Sequence, residues 1–560
     1  MALTYGEVLE KLTGPGGPFE LEEQELAGRT LRCFKNRERS MREKIANAAT
    51  HGEATALVQG ERRISYADFA RLVWGFGRAL KRDHGFHAGD RLAILAYNCP
   101  EWPIAAFGAT SIGGIGVALN GWWQTEELEY ALEDSGSRYL VVDERLYPRV
   151  ADLIPKLPGL ETIFYIGRGA PPGTVPIDSL LVPSDEIPTD PIEETDPFMI
   201  LYTSGTTGRS KGCITTHTGT IQQVSEILFA SIAAGRLKGA PVQPPSKSAP
   251  SALVSSPLFH VGGFHSGICT QLTIGSKIVF LDGKFDPEKV MQVIQDEQIV
   301  SWPAIPTMLH RVVHHERVGE YDLSSLRTVS FGGAPTAPET IDKAREVMPI
   351  KPSMTNAYGL TETHGVATVN AGGDLLGRKT AAGRVAPILD CRILSESGEA
   401  LPAGQLGEIT FRGPTITPGY WNRPEATAEA VRDGWLHTGD LGYLDEEGFL
   451  FIVDRAKDMI LRGGENVYCA EIEHVLADHP AIDEAAVIGR KDAELGERVM
   501  AILRASEGMS PEVDEIQAHV ARHLAGFKVP EFVVFVTDPL PRNPSGKLLK
   551  NELREQHAGA

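Results

Sequence analysis

Between residues 90 and 143 short apolar runs alternate with amphipathic stretches. Residues 90–97 read as a strand, 100–112 as a helix, 113–120 as a strand, 125–134 as a helix and 138–143 as a strand. Strands separated by helical segments predict a parallel α/β sheet, because parallel neighbours need a crossover connection. The uncharged run 104–123 is long enough to cross a bilayer, but it holds five glycines and precedes an acidic helical pattern. A buried helix, turn and strand are predicted instead. Residues 174–197 are rich in proline and acid and lead into the apolar run 198–202, which predicts a connection between two sub-sheets. Residues 235–251, with four prolines, predict a surface loop. From about residue 457 the pattern is shorter and more charged: a helix from 470, strands at 484–489 and 500–505, a helix from 511 and a strand at 532–536.

Length turns these elements into domains. A chain of 560 residues exceeds one compact core. A large domain over 1–454, a hinge at 455–458 and a small α+β domain over 459–560 are expected. The 42% apolar and 23% charged composition is that of an ordinary globular enzyme. A net charge of −20 argues against a nucleic-acid or anionic-membrane binder, which needs a basic face. The six cysteines, Cys33, Cys99, Cys213, Cys269, Cys391 and Cys469, form no Cys-x-x-Cys pair, so reduced, buried thiols of a cytoplasmic protein are expected. Residues 1–17 carry Glu7, Glu10 and Lys11 and show no secretory signal.

Candidate chemistry begins after the apolar run 198–202. Thr203-Ser204-Gly205-Thr206-Thr207-Gly208-Arg209-Ser210-Lys211-Gly212 has a phosphate-loop composition. Glycines bring backbone N–H groups close to phosphate oxygens, hydroxyls add donors and Lys211 adds a point charge. It is not a Walker loop, which would need glycine at 210 and serine or threonine at 212. Alone, such a segment is as consistent with a hydroxyl-rich turn. Four further segments accompany it: Asn356-Ala357-Tyr358-Gly359-Leu360-Thr361-Glu362-Thr363, Gly434-Trp435-Leu436-His437-Thr438-Gly439-Asp440, Asp454-Arg455-Ala456-Lys457-Asp458 and Pro541-Arg542-Asn543-Pro544-Ser545-Gly546-Lys547.

In the order and spacing of these five segments the chain resembles the adenylate-forming superfamily, which includes acyl- and aryl-CoA ligases, peptide-synthetase adenylation domains and beetle luciferase. The resemblance runs from about Ser65 to Arg554. It implies a large domain of doubly wound sheets with a distorted β-barrel subdomain, and a small mobile α+β domain. It implies ATP, Mg2+ and coenzyme A as co-reactants: a carboxylate joins AMP with release of pyrophosphate, and the acyl group then passes to a thiol. Ser210 departs from the family, which usually has proline there.

Carried over by position, Thr203 to Gly208 and Lys211 hold phosphates, Tyr358 stacks on adenine, and Gly333-Ala334-Pro335 with Asn356 and Gly359 line the base pocket. Asp440 and Arg455 face the ribose, and Thr361 flanks the metal site formed by Glu362 and Thr206. Lys547 bridges substrate carboxylate and α-phosphate, as bringing two anions together requires a cation. Lys457 is the hinge, and Arg462, Gly463 and Gly464 line the coenzyme A channel. The spacing before Lys547 also resembles acetylation targets, which makes a lysine acetyltransferase an expected partner; a homodimer is a further expected assembly.

His260 stands at the family's aromatic gate to the acyl pocket, whose lining is expected to include Val261, Gly263, Phe264, Trp302, Gly333, Gly359 and Val366. Amino-acid-activating relatives place an aspartate near this gate, whereas Phe259-His260 offers no fixed negative charge for an α-ammonium. The apolar lining favours a medium- or long-chain fatty acid, with an aryl or ring-containing acid as the alternative. Without a fused carrier domain the thiol acceptor is coenzyme A, or else a free carrier protein.

Overall fold

The computed structural model describes residues 3–203, 210–237, 249–334, 336–349, 352–455, 458–462, 465–492, 495–542 and 547–558. Contacts divide the chain into two units: one of residues 1–379, 383–390 and 412–436, the other of 380–382, 391–411 and 437–560.

The first unit is built on two largely parallel sheets. In one, strands run in the order Lys211–Thr216, Pro197–Thr203, Ile115–Ala118, Arg91–Leu95, Tyr139–Asp143, Thr162–Ile166 and Val175–Pro176. All neighbours are parallel except the hairpin of the first two. The predicted alternation over 90–143 is present as strand, helix Glu101–Thr110, strand, helix Thr125–Ser135 and strand. Every residue of Glu101–Thr110 is buried, as expected of a helix apolar on all sides. The connection over 174–197 differs from expectation. Val175–Pro176 closes one side of this sheet, and Pro197–Thr203 returns to the same sheet beside Ile115–Ala118. Its five central residues are buried, which suits an inner strand flanked on both sides.

The other sheet of this unit orders its strands Gly383–Val385, Thr368–Ala371, Ser353–Tyr358, Thr328–Gly332, Ser301–Ala304, Ser251–Val254, Lys277–Phe280, Thr55–Gln59 and Arg62–Ser65. Helices cover both sheets. Tyr66–His84 starts at Ser65, whose hydroxyl accepts the Asp68 N–H, stops at left-handed Gly85, and buries Phe69, Val73, Phe76 and Leu80 on one face. His217–Arg236 springs directly from the end of Lys211–Thr216, capped by the Thr216 hydroxyl on the Gly219 N–H. Of the stretch 235–251 expected as a loop, residues 238–248 lie outside the described residues.

In the second unit, Asp390–Leu394, Gly407–Arg412, Trp435–Leu444 and Phe449–Arg455 follow one another as sheet neighbours. A five-stranded sheet comes after them, in which Ile482–Asp492 and Gly496–Ala505 form a long hairpin and Phe532–Val536 adds in parallel. Helices Cys469–Ala477 and Val513–His523 pack with it through Ile472, Leu476, Ile516 and Val520. Among the described residues no helix is long and apolar enough to cross a membrane.

Candidate active site

The hairpin Pro197–Thr203/Lys211–Thr216 sets Thr203 directly opposite Lys211, and the Thr203 hydroxyl donates to the Lys211 carbonyl at 3.4 Å. The residues between, Ser204, Gly205, Thr206, Thr207, Gly208 and Arg209, lie outside the described residues. Ser210 is held through its backbone: its carbonyl accepts the Tyr130 hydroxyl at 2.9 Å. Arg423 donates to that hydroxyl at 3.0 Å and pairs with Asp134 at 2.6 Å, and Asp134 also accepts from Tyr202 at 2.9 Å. A carbonyl contact of this kind does not depend on the side chain, so serine satisfies it where the family usually has proline.

Glu362 sits in a single 3-10 turn, Thr361–Thr363, closed by the Thr363 hydroxyl, which accepts the Leu360 N–H at 2.9 Å. The next residue, His364, is left-handed (φ 57) and fully buried. Its Nδ1–H donates to the Thr415 carbonyl at 2.7 Å while its Nε2 accepts the Thr216 N–H at 2.8 Å. One imidazole therefore ties the turn bearing Glu362 to the strand that begins with Lys211. Burial, aided by His265, pushes His364 down to about 3, so the ring stays neutral and keeps an acceptor for Thr216. Gly219 cannot carry a side chain here, because a Cβ would lie 2.3 Å from His364 Nε2.

A residue the sequence reading missed completes the link. The Tyr420 hydroxyl donates to Glu362 Oε1 at 2.7 Å, and Lys211 Nζ stands 5.1 Å from the centre of the same ring. Burial and the neighbouring Glu362 carboxylate push the phenol well above its ordinary range, so it remains a donor. The segment is fastened alongside the hairpin: Trp421 N–H donates to Gly212 O at 2.7 Å, Thr417 Oγ1 to Ile214 O at 2.7 Å, and Thr417 N–H to Glu362 O at 2.8 Å. The one signal in the sequence is the run Pro418-Gly419-Tyr420-Trp421-Asn422, a turn composition enclosing two aromatics.

Glu362 alone is enough carboxylate for magnesium. Mg2+ is commonly held by one or two carboxylates, with substrate phosphates and water filling the rest of its shell. A carboxylate has several lone pairs, and Tyr420 takes one. Among the described residues there is no group of three His, Cys, Asp or Glu that could hold a metal ion. Thr206, the other expected ligand, lies outside the described residues.

Parallel strands Thr328–Gly332 and Ser353–Tyr358 pair Phe331 with Asn356 and Gly332 with Ala357. Their carboxyl ends bring Gly333-Ala334 and Tyr358-Gly359 to one end of the sheet, where open α/β sheets bind ligands. Asn356, Tyr358 and Thr361 are half-buried. Gly333 is left-handed (φ 81) with open space where a side chain would stand. Pro335 is outside the described residues.

The expected acyl-pocket lining is corrected in part. Phe264 is fully buried and packs on Trp102, Phe107 and Phe198 at centroid distances of 4.7, 5.2 and 5.9 Å. Trp302 is also fully buried, its indole N–H donating to Ser255 at 3.0 Å. Both are core residues with no surface to offer. Gly263 and Gly359 are small because backbone passes close by: a Cβ would come 2.1 Å from Pro257 O and 1.7 Å from Gly365 O. His260 and Val261 are half-buried and Val366 is buried. Burial pushes His260 down to about 4, so its imidazole is neutral.

In the second unit, Asp440 is buried directly across from Arg455 in the antiparallel pair Trp435–Leu444/Phe449–Arg455. Glu408 braces the approach to Asp440, taking His437 at 2.8 Å and the Gly439 N–H at 3.1 Å. Asp458 is the last residue of the expected hinge. Burial opposes its charge, but Lys550, Arg554 and Lys547 outweigh burial and hold the carboxyl below its ordinary range. Lys547 itself is half-buried, just before a bridge between Arg542 and Leu548. Arg462, expected beside the coenzyme A channel, has its guanidinium on Glu531 at 2.8 Å, an acid it shares with Arg498. Lys457, Gly463 and Gly464 lie outside the described residues.

Comparison with known proteins matches residues 45–421 to "AMP-binding enzyme" and 471–547 to "AMP-binding enzyme C-terminal domain". The chain is 34% identical to a feruloyl-CoA synthase of Amycolatopsis sp over 91% of this chain and 98% of that one. It is 34% identical to an indoleacetate–CoA ligase of Aromatoleum aromaticum, covering 90% and 94%. Among solved structures it resembles the amide bond synthetase McbA of Marinactinospora thermotolerans, with a TM-score of 0.80, 29% identity and coverage of 92% and 99%.

Proposed function

Because the chain belongs to the AMP-binding enzyme family and is an AMP-forming acid–CoA ligase using ATP, Mg2+ and coenzyme A, we propose that its acid is a compact, ring-containing one. In the first half-reaction a carboxylate oxygen attacks the α-phosphorus of ATP and the bond to pyrophosphate breaks. In the second, the coenzyme A thiolate attacks the acyl carbon and AMP leaves. Glu362 would hold the metal, whose charge would offset that of the phosphates, and Tyr420 fixes that carboxylate. Lys211 supplies phosphate charge beside the same ring. Asp440 and Arg455 take the ribose, Tyr358 the base, and Lys547 the two anions that must meet.

The observation that carries the ring reading is that two of the expected apolar walls, Phe264 and Trp302, are packed in the core. A long alkyl tail would rely on such walls, and Gly263 and Gly359, closed off by passing backbone, add no apolar surface in their place. The names of the two relatives, which specify feruloyl and indoleacetate substrates, support the same reading.

Pyrophosphate release with cinnamic, benzoic, indoleacetic, octanoic and palmitic acids, with coenzyme A or a free carrier protein as acceptor, tests it. Aryl acids with coenzyme A should lead by at least about tenfold in kcat/KM, since misfit in a pocket costs roughly 1–3 kcal/mol per group. A lead by palmitic acid would overturn the proposal.

A further inference from the structure

We propose that Glu473 and Lys550 are positioning residues for the first half-reaction, their ion pair setting where the chain presents Lys547. This rests on the reading above that Lys547 brings the carboxylate and the α-phosphate together.

The residues that follow Lys547 are tied down within the second unit. Leu548 bridges Arg542, and the Leu549 N–H donates to the Pro541 carbonyl at 2.8 Å. Leu553 is buried in an apolar cluster with Ala486, Ile488 and Leu540. Three residues beyond Lys547, at the start of the short helix Lys550–Leu553, the Lys550 ammonium pairs with Glu473 Oε1 at 2.8 Å. The same oxygen accepts the Val487 N–H at 2.7 Å. One carboxylate thus joins the helix Cys469–Ala477, the strand Ile482–Asp492 and the segment after Lys547. The end of the expected hinge enters the same knot. The Cys469 thiol, where the helix bearing Glu473 begins, donates to the Asp458 carbonyl at 3.0 Å, and Arg554 pairs with the Asp458 carboxylate at 2.8 Å. Burial raises the Asp458 pKa, but Lys550, Arg554 and Lys547 together outweigh it, which sets the Lys547 charge beside this knot.

Stability alone does not account for the pair. The Lys550 and Glu473 side chains are 10% and 19% exposed, more hidden than Arg462 and Arg498 on Glu531. Taking two charges out of water costs about as much as their attraction returns, and apolar residues of similar volume often serve as well or better. What such a pair adds is one defined geometry, because each partner must keep its hydrogen bonds. Geometry is what Lys547 needs: its cation must meet two anions at once, and a displacement of about 1 Å can cost roughly 10²-fold in rate.

The two half-reactions, measured separately on the full-length enzyme with whichever acid of the panel above is turned over fastest, test this. Lys550→Met and Glu473→Gln should each slow pyrophosphate release by about 10- to 100-fold. Thioester formation from supplied acyl-AMP should stay at the wild-type rate, whereas a merely structural role would lower both half-reactions along with the melting temperature. Lys550→Arg, which keeps the cation, should recover most of the loss. The double variant Glu473→Met/Lys550→Met leaves no lone buried charge and so guards against misfolding of the single variants. It too should be slow in pyrophosphate release alone. Wild-type release in the folded double variant, or an equal fall in both half-reactions, would overturn the inference. Lys547→Ala, run alongside, separates it from the reading beneath. Normal release in Lys547→Ala would remove Lys547 from the chemistry, whereas slow release there with normal release in the Glu473 and Lys550 variants would overturn the positioning role only.

Discussion

The two units position their functional side chains by different physics. In the first, Glu362 and Lys211 are connected through Tyr420, while His364 fastens the turn to the strand with two hydrogen bonds from a neutral ring. In the second, charge does the holding: Arg554 pairs with Asp458 at 2.8 Å, and Arg462 and Arg498 share Glu531. Such hydrogen bonds as those of the first unit are short-ranged and geometrically strict, which suits a site that must hold a metal and phosphates in register. Ion pairs at partly exposed positions are individually weak and screened by salt. The first unit is therefore built to be rigid, and the second to be held by contacts that exchange at little cost.

The sharpest way to break this contrast is at Lys547, where the second unit is expected to contribute a cation to the first half-reaction. Lys547→Ala should cut acyl-AMP formation by about 10²–10³-fold or more, while thioester formation from supplied acyl-AMP is largely spared. Quench assays of each half-reaction check it, and near-normal pyrophosphate release would remove Lys547 from the chemistry. Tyr420→Phe probes the other side. Losing a hydrogen bond to a charged acceptor costs about 1.5–3 kcal/mol, so pyrophosphate release should fall roughly 10- to 100-fold, with an increased Mg2+ requirement as the separate signature.

Acid should reach the first unit through its histidines. His217 and His364 lie at about 3, and His260 and His265 at about 4, burial being the leading cause for each. All are neutral when folded, whereas in the unfolded chain they take a proton near pH 6.5. The unfolded state thus binds more protons below that pH, and stability present above pH 6.5 is lost as pH falls toward 4. Each histidine contributes up to about 1.4 kcal/mol per pH unit in that window. Denaturant midpoints of wild type measured from pH 7.5 to 4.5 should decline steeply below 6.5, and replacement of His217 by Gln should flatten the decline. The smallest effect is expected for Arg554→Ala, about 1 kcal/mol or less and reduced further in high salt, read as a melting shift at low and high ionic strength.

Much of this was legible in the chain. The alternation over 90–143 and the elements after 469 follow directly from periodicity, because each buries a face whose spacing the sequence displays. Tyr420 was not legible in the same way. It lies far from Glu362 along the chain, and only the return of residues 417–421 to the Lys211–Thr216 strand brings the two together. Phe264 and Trp302 illustrate another limit: an apolar side chain fits a core as readily as a pocket wall, and composition does not separate the two. Gly359 likewise reads as pocket space, whereas the carbonyl of Gly365 already occupies the place of its side chain. The buried atoms Gln223 Oε1 and His265 Nε2, which lack partners, were not legible either, since a missing partner is a property of three dimensions.

The thiols, finally, bear on self-protection. An acyl-adenylate is an electrophile that any accessible thiolate would capture, and this enzyme holds one within a chain of six cysteines. Five are buried and Cys391 is half-buried. Burial pushes Cys33 up to about 11 and Cys391 to about 12, and drives Cys99, Cys213, Cys269 and Cys469 upward as well. At neutral pH the six remain protonated and poorly nucleophilic. Burial thus leaves the enzyme's own thiols poor competitors for the incoming coenzyme thiol.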